Sequence, residues 1–92
     1  MKKILCLCKA RHEMPECVEG AIFDNTLDPL DIKGMEATVA NALDGVTSLT
    51  LYVTGLTVAC AAVIKHCANA GISLSLMHYD RETGNYYEQR IF

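Results

Sequence analysis

Thr54-Gly55-Leu56-Thr57 separates an apolar run, "SLTLYV" at 48–53, from an alanine-rich run, "VACAAVIKHCANA" at 58–70. A strand that turns and feeds straight into a helix gathers unpaired backbone N–H groups and the positive end of the helix dipole at one point. That combination holds phosphate. Gly55 has no Cβ, so the backbone can turn sharply and a ligand can approach. The hydroxyls of Thr54 and Thr57 add donors. The same four residues also read as a plain tight connection in which Thr57 caps its own helix.

Two other groups carry usable chemistry. His78-Tyr79-Asp80-Arg81 ends a later apolar run. His78 can donate to a phosphate or act as acid or base. Asp80 reads first as a turn residue bonding its own backbone, and Arg81 as a solvated turn residue. Lys9-Ala10-Arg11-His12 follows the first apolar run. Two cations and an imidazole there would complement an anion, or would simply open a solvated loop. His66 lies inside a helical pattern and reads as a core or interface residue. Tyr86 and Tyr87 are neighbours on a strand pattern, so they point to opposite faces.

The elements that must position these residues follow from periodicity. Residues 3–8 read as a central strand buried on both faces. Residues 9–34 are mixed and broken by Pro15, Pro29 and several acids, with "VEGAIF" a short strand or a turn of helix. A loop of this length in a small domain is often functional. Met35, Val39 and Leu43 repeat every four residues and predict a helix over 35–44, stopped by Gly45. Residues 48–54 read as a second strand with Leu49, Leu51 and Val53 on one side. The next helix runs from a Thr57 cap to about Asn69, with Gly71 closing it. Residues 72–78 form a third strand, 81–85 a turn and 86–91 an antiparallel return. The predicted order is β-loop-α-β-α-β-β. This is an α/β domain: a small Rossmann-like, mostly parallel sheet with two right-handed crossover helices and a C-terminal antiparallel hairpin.

The chain has 92 residues, enough for a single domain with a small core. Its 51% hydrophobic content is high for a small monomer, and the apolar helix at 57–69 suggests a homo-oligomer. A net charge of −3 leaves no broad basic field for a long nucleic acid. No run is long enough to span a membrane. Cysteines 6, 8, 17, 60 and 67 are odd in number, follow no secretory signal and lack zinc spacing. They read as free thiols of a cytoplasmic protein with no metal and no cofactor.

The segments "KARHEMP" and "TGLT…LMHYDRETGNYYEQ" resemble the CRISPR-associated ring-nuclease and CARF-like group, over the last forty or so residues plus the first turn. Members of that group are oligomers that bind cyclic oligonucleotide signals at a subunit interface. Some cleave the signal and some only sense it, and phages carry small proteins that destroy or sequester it. The resemblance implies a ligand site at Arg11, His12, Thr54, Gly55, Leu56, Thr57, His78, Asp80 and Gln89. Three functions follow as expectations. The first is an oligomeric sponge or sensor for a cyclic nucleotide. The second is a metal-independent ring nuclease using His78 or His12. The third is an inhibitor that docks a protein and takes no small ligand.

Overall fold

Alternation of large aliphatic residues along three strands dictates which face of the sheet is buried. The computed structural model describes residues 1–9, 14–24 and 26–92. Its elements are β1 Lys2–Cys8, β2 Ala21–Phe23, α1 Ile32–Ala42, β3 Ser48–Tyr52, α2 Thr57–Ala70, β4 Ser73–Asp80 and β5 Asn85–Arg90. They form one five-stranded sheet of order β2-β1-β3-β4-β5, with the first four strands parallel and β5 antiparallel to β4. The α/β, Rossmann-like reading of the sequence holds, with "VEGAIF" resolved as the short strand β2.

The connections β2-α1-β3 and β3-α2-β4 step across the sheet in the same direction. Right-handed crossovers therefore place both helices on one face, where α1 and α2 pack against each other. The register sets Leu5, Leu51 and Leu76 side by side. These residues join Met35 and Val39 of α1 and Val63 of α2 in one core. The step from β1 to β2 runs the other way, and residues 14–20 of that connection lie on the opposite face. There the Cys17 Sγ lies 3.7 Å from the Tyr52 hydroxyl, and the Tyr86 hydroxyl donates to Met14 Sδ at 3.7 Å. Cys6 and Tyr52, on that face, are only 4% and 7% exposed.

Several boundaries differ from expectation. Helix α1 begins at Ile32, not 35, because Asp31 caps it by accepting the Gly34 N–H at 3.0 Å. The predicted stripe of Met35, Val39 and Leu43 is buried as expected. Strand β3 ends at Tyr52, and β4 continues two residues beyond 78 to Asp80. Helix α2 directs Ala59, Ala62, Val63 and Cys67 into the core of its own chain, and Gly71 closes it with φ +71°. Lys65 ties it to Glu36 of α1 at 3.0 Å. Its apolar side is thus filled within one protomer, and the solvent side carries Ala61, Lys65 and Ala68. Of the two readings its few polar positions allow, burial and a partner subunit, burial within the chain accounts for this inner face. Among the described residues, no helix is long and apolar enough to cross a membrane.

Burial also sets the thiols apart. Cys17 is exposed, Cys8 and Cys60 are half-buried, and Cys67 is fully buried. Burial pushes the Cys67 thiol up from 9.0 to about 11. Below pH 9 both folded and unfolded chains keep this proton. Between 9 and 11 only the unfolded chain releases it, so stability falls as pH rises through that window, by about 2–3 kcal/mol. Urea melts of Cys67→Ala should lose this share of the alkaline slope relative to the parent, even though the variant starts less stable. An unchanged slope would mean that Cys67 does not stay protonated in the fold.

Candidate functional site

The carboxyl ends of β1, β2, β3 and β4 share one edge of the sheet because the four strands are parallel. Connections leave β1 and β3 in opposite directions, so the crevice that this topology implies, where α/β sheets take ligands, falls between their carboxyl ends. Cys8 and Lys9 form one lip. Residues 53–57 form the other.

The Thr54 hydroxyl donates to the Cys8 carbonyl at 2.7 Å and accepts the Cys8 N–H at 3.0 Å. A side chain thereby continues the β1–β3 ladder two residues past its last backbone pair. Its only proton is given to Cys8, so this hydroxyl is not the donor to an anion that its residue type suggests. Gly55 follows with φ +88°, and a Cβ there would lie 2.7 Å from Cys8 Sγ and 3.0 Å from Cys8 Cβ. The chain itself therefore demands glycine at 55, with or without a ligand.

Thr57 is not the helix cap. Leu56 occupies that position in extended conformation (φ −88°, ψ 137°), and no side chain bonds to the first turn. The reason is positional: a capping hydroxyl must precede the helix, and Thr57 is its first helical residue. Cys60 N–H reaches the Leu56 carbonyl at 3.2 Å. The earlier amides of α2 open toward the crevice without a side-chain cap.

His78 and Gln89 meet across the C-terminal hairpin, with Nε2 and Oε1 2.8 Å apart. Against an amide oxygen, Nε2 is the donor. The imidazole also leans on Tyr87, ring centres 5.4 Å apart and planes tilted by 36°. The pairing of Tyr52 with Met77 places His78 beside Val53, one strand from the crevice. Asp80 is a turn former: its carboxylate accepts the Glu82 N–H at 3.1 Å and the Thr83 hydroxyl at 3.0 Å. Arg81 is exposed in that turn. Thr54, Gly55, Leu56 and Thr57 thus line the crevice, and His78 with Gln89 forms an adjacent pair. Arg11 and His12 lie outside the described residues.

Two features have no counterpart in the sequence reading. On the helix-free face, Tyr86 packs edge-on against Tyr52 at 4.8 Å and Tyr79 at 5.3 Å. Burial raises the hydroxyl pKa of Tyr52 and of Tyr86. Their positions 52, 79 and 86 are far apart in sequence, and only strand register brings them together. A cleft of about 370 Å³ near the start of α1 is lined in part by Asp24, Asp28 and Asp31. Each carboxylate serves its own turn, on the N–H groups of Thr26, Leu30 and Gly34 respectively. Bonds from the Thr26 hydroxyl and amide hold the Asp24 carboxyl below its ordinary value. Among the described residues, no three His, Cys, Asp or Glu side chains are grouped to hold a metal.

The two threonines should therefore separate cleanly. Thr54→Val keeps the shape but leaves the half-buried Cys8 N–H and carbonyl without partners, and should cost about 1–3 kcal/mol. Thr57→Ala removes no cap and should stay within about 0.5 kcal/mol of the parent. Chemical denaturation of both variants checks the order; equal losses would mean that Thr54 is not the tie between β1 and β3.

No family model matches this chain, and comparison with curated proteins and with solved structures returns no match.

Proposed function

We propose that the protein binds a phosphate-bearing cyclic nucleotide or oligonucleotide, as a sponge or sensor of an antiviral defence signal. One observation carries the reading: the N-terminus of α2 opens at the sheet's switch point with no side chain capping it. Backbone N–H groups there suit a phosphodiester oxygen. Tyr79, 51% exposed at the same end of the sheet, offers a ring for base stacking. The sequence likeness of "TGLT" and "HYDRETGNYYEQ" to ring-nuclease and CARF-like proteins supports the choice of a cyclic nucleotide over other phosphates.

Binding is favoured over cleavage. The His78 Nε2 is committed to Gln89, and Asp80 is committed to its turn, so neither is poised on the crevice as a general base.

Substitution at Gly55 is a poor test, since any side chain there strains the turn and strikes Cys8. Thr57→Pro is better. Proline is favoured at the first helical position, and the extended Leu56 before it already has a compatible backbone. The change removes one amide from the helix end and keeps the helix. Calorimetric titration with a panel of cyclic mono-, di- and oligonucleotides should find at least one that is retained and recovered intact. Thr57→Pro should weaken that ligand about tenfold or more, while Thr57→Ala retains it. Shortened product would replace binding with the nuclease reading. No retention of any member, or full affinity in a folded Thr57→Pro, would overturn the proposal.

A further inference from the structure

Strand β5 is an open edge. Its inner side pairs with β4 from Ser75–Arg90 to Asp80–Asn85. Its outer side carries a row of backbone donors and acceptors, and five of its six residues are exposed. It contains no proline or glycine to blunt it. The opposite edge, β2, has only three residues.

The phase of the hydrogen bonds decides what this edge can pair with. Ile91 donates its N–H inward to the Leu74 carbonyl at 2.9 Å. In an antiparallel ladder the direction alternates, so Tyr87 and Gln89 also face inward and Tyr86, Glu88 and Arg90 present their N–H and carbonyl groups outward. A second β5 related by a two-fold axis must set outward residues opposite outward residues. Five registers centred from Tyr86 to Arg90 do this. Centring on Tyr86 sets Glu88 and Arg90 opposite the 81–84 turn, outside the strand. Centring on Glu88 opposes two carboxylates, and centring on Arg90 opposes two guanidiniums. Centring on Tyr87 leaves both charges without a partner. Centring on Gln89 sets Glu88 against Arg90 twice, Tyr87 against Ile91 twice, and the two Gln89 amides against each other. The segment Tyr87-Glu88-Gln89-Arg90-Ile91 is complementary to itself read backwards.

The side chains are free to make these pairs. Glu88 uses Oε2 to accept from the Ser75 hydroxyl at 2.7 Å, and Arg90 uses Nε on the Phe92 carbonyl at 3.2 Å. The second carboxylate oxygen and the terminal guanidinium nitrogens remain for a partner. Both charges lie on the helix-free face. A two-fold axis perpendicular to the sheet keeps equivalent faces together, so Glu88 and Arg90 of the two copies meet on one side and Tyr87 and Ile91 on the other.

We infer that the protein forms a two-fold dimer through antiparallel pairing of its β5 strands in the register centred on Gln89, joining two five-stranded sheets into one. This goes beyond the ligand reading and is tested without ligand. Light scattering of the parent at roughly 100 μM, a range that populates small interfaces, should give twice the chain mass. Glu88→Arg and Arg90→Glu each create like-charge pairs and should raise the dimer dissociation constant about tenfold or more. Mixing those two variants restores opposite charges at both positions and should return a heterodimer within about threefold of the parent. Ser75→Ala, which removes only the intrachain partner of Glu88, should dimerise like the parent. Hydrogen exchange adds a readout on the unmutated chain: the outward amides of Glu88 and Arg90 should be slow at high concentration and fast on dilution. A monomeric parent, single reversals that dimerise normally, a mixture that stays monomeric, or concentration-independent exchange at Glu88 and Arg90 would overturn the inference.

Discussion

Two consecutive right-handed crossovers running in one direction shape the whole molecule. They force α1 and α2 onto the same face of the sheet and leave the other face to the connection between β1 and β2. A parallel sheet is usually buried on both sides. Here one side receives aliphatic residues in long alternation and the other receives Cys6, Thr50, Tyr52, Ser73, Ser75 and Tyr86. Short polar and aromatic side chains suit a surface covered by a loop, because their hydroxyls can find partners where a helix would exclude them. Lys3 and Glu19 lie at the open side of the sheet: the Glu19 carboxylate accepts the Ile4 N–H at 2.7 Å, where β2 does not extend along β1.

The reversal of direction between β1 and β3 makes the crevice, and a single hydroxyl holds its two lips together. Thr54 substitutes for a backbone pair on Cys8. Gly55 then lets the chain leave the sheet against the Cys8 side chain. These two residues are needed to build the crevice, whatever enters it. The amides of α2 are what remains for a ligand, since Leu56 and Thr57 supply no cap. A threonine–glycine pair at a strand end is thus a scaffold signature as much as a binding one.

Sequence periodicity was sufficient for the elements whose burial is one-sided. Leu49, Leu51 and Val53, and Ile72, Leu74 and Leu76, mark their strands because each faces a helix. The first turn of α1 escaped because Gly34 and the preceding "LDPLD" read as turn, and Asp31 is one of several acids there that could as well close a turn as cap a helix. Strand β2 was ambiguous since three residues show no period. At the site, residue types were visible but their commitments were not. Thr54 and His78 look available in one dimension and each is engaged by a neighbour in three, while Asp80 is the turn former its type suggests. The few polar positions of α2 fit either burial or a partner subunit, and its inner face is buried within the chain. Both helices share one face and cover each other.

That same economy bears on assembly. With the apolar faces of the helices covered internally, a row of outward backbone groups runs along β5, on the far side of β4 from the crevice. Gln89 is where the two regions touch, because its amide oxygen is bonded to His78 while its backbone sits at the centre of the self-complementary segment. In a dimer centred there, each Gln89 side chain would lie beside its copy, on the helix face. The His78 imidazole would then sense the presence of a partner through one hydrogen bond. The crevice between β1 and β3 would sense it only through the rigid register of β4. Binding and pairing therefore occupy different strands, and a change in one need not alter the other unless it moves His78.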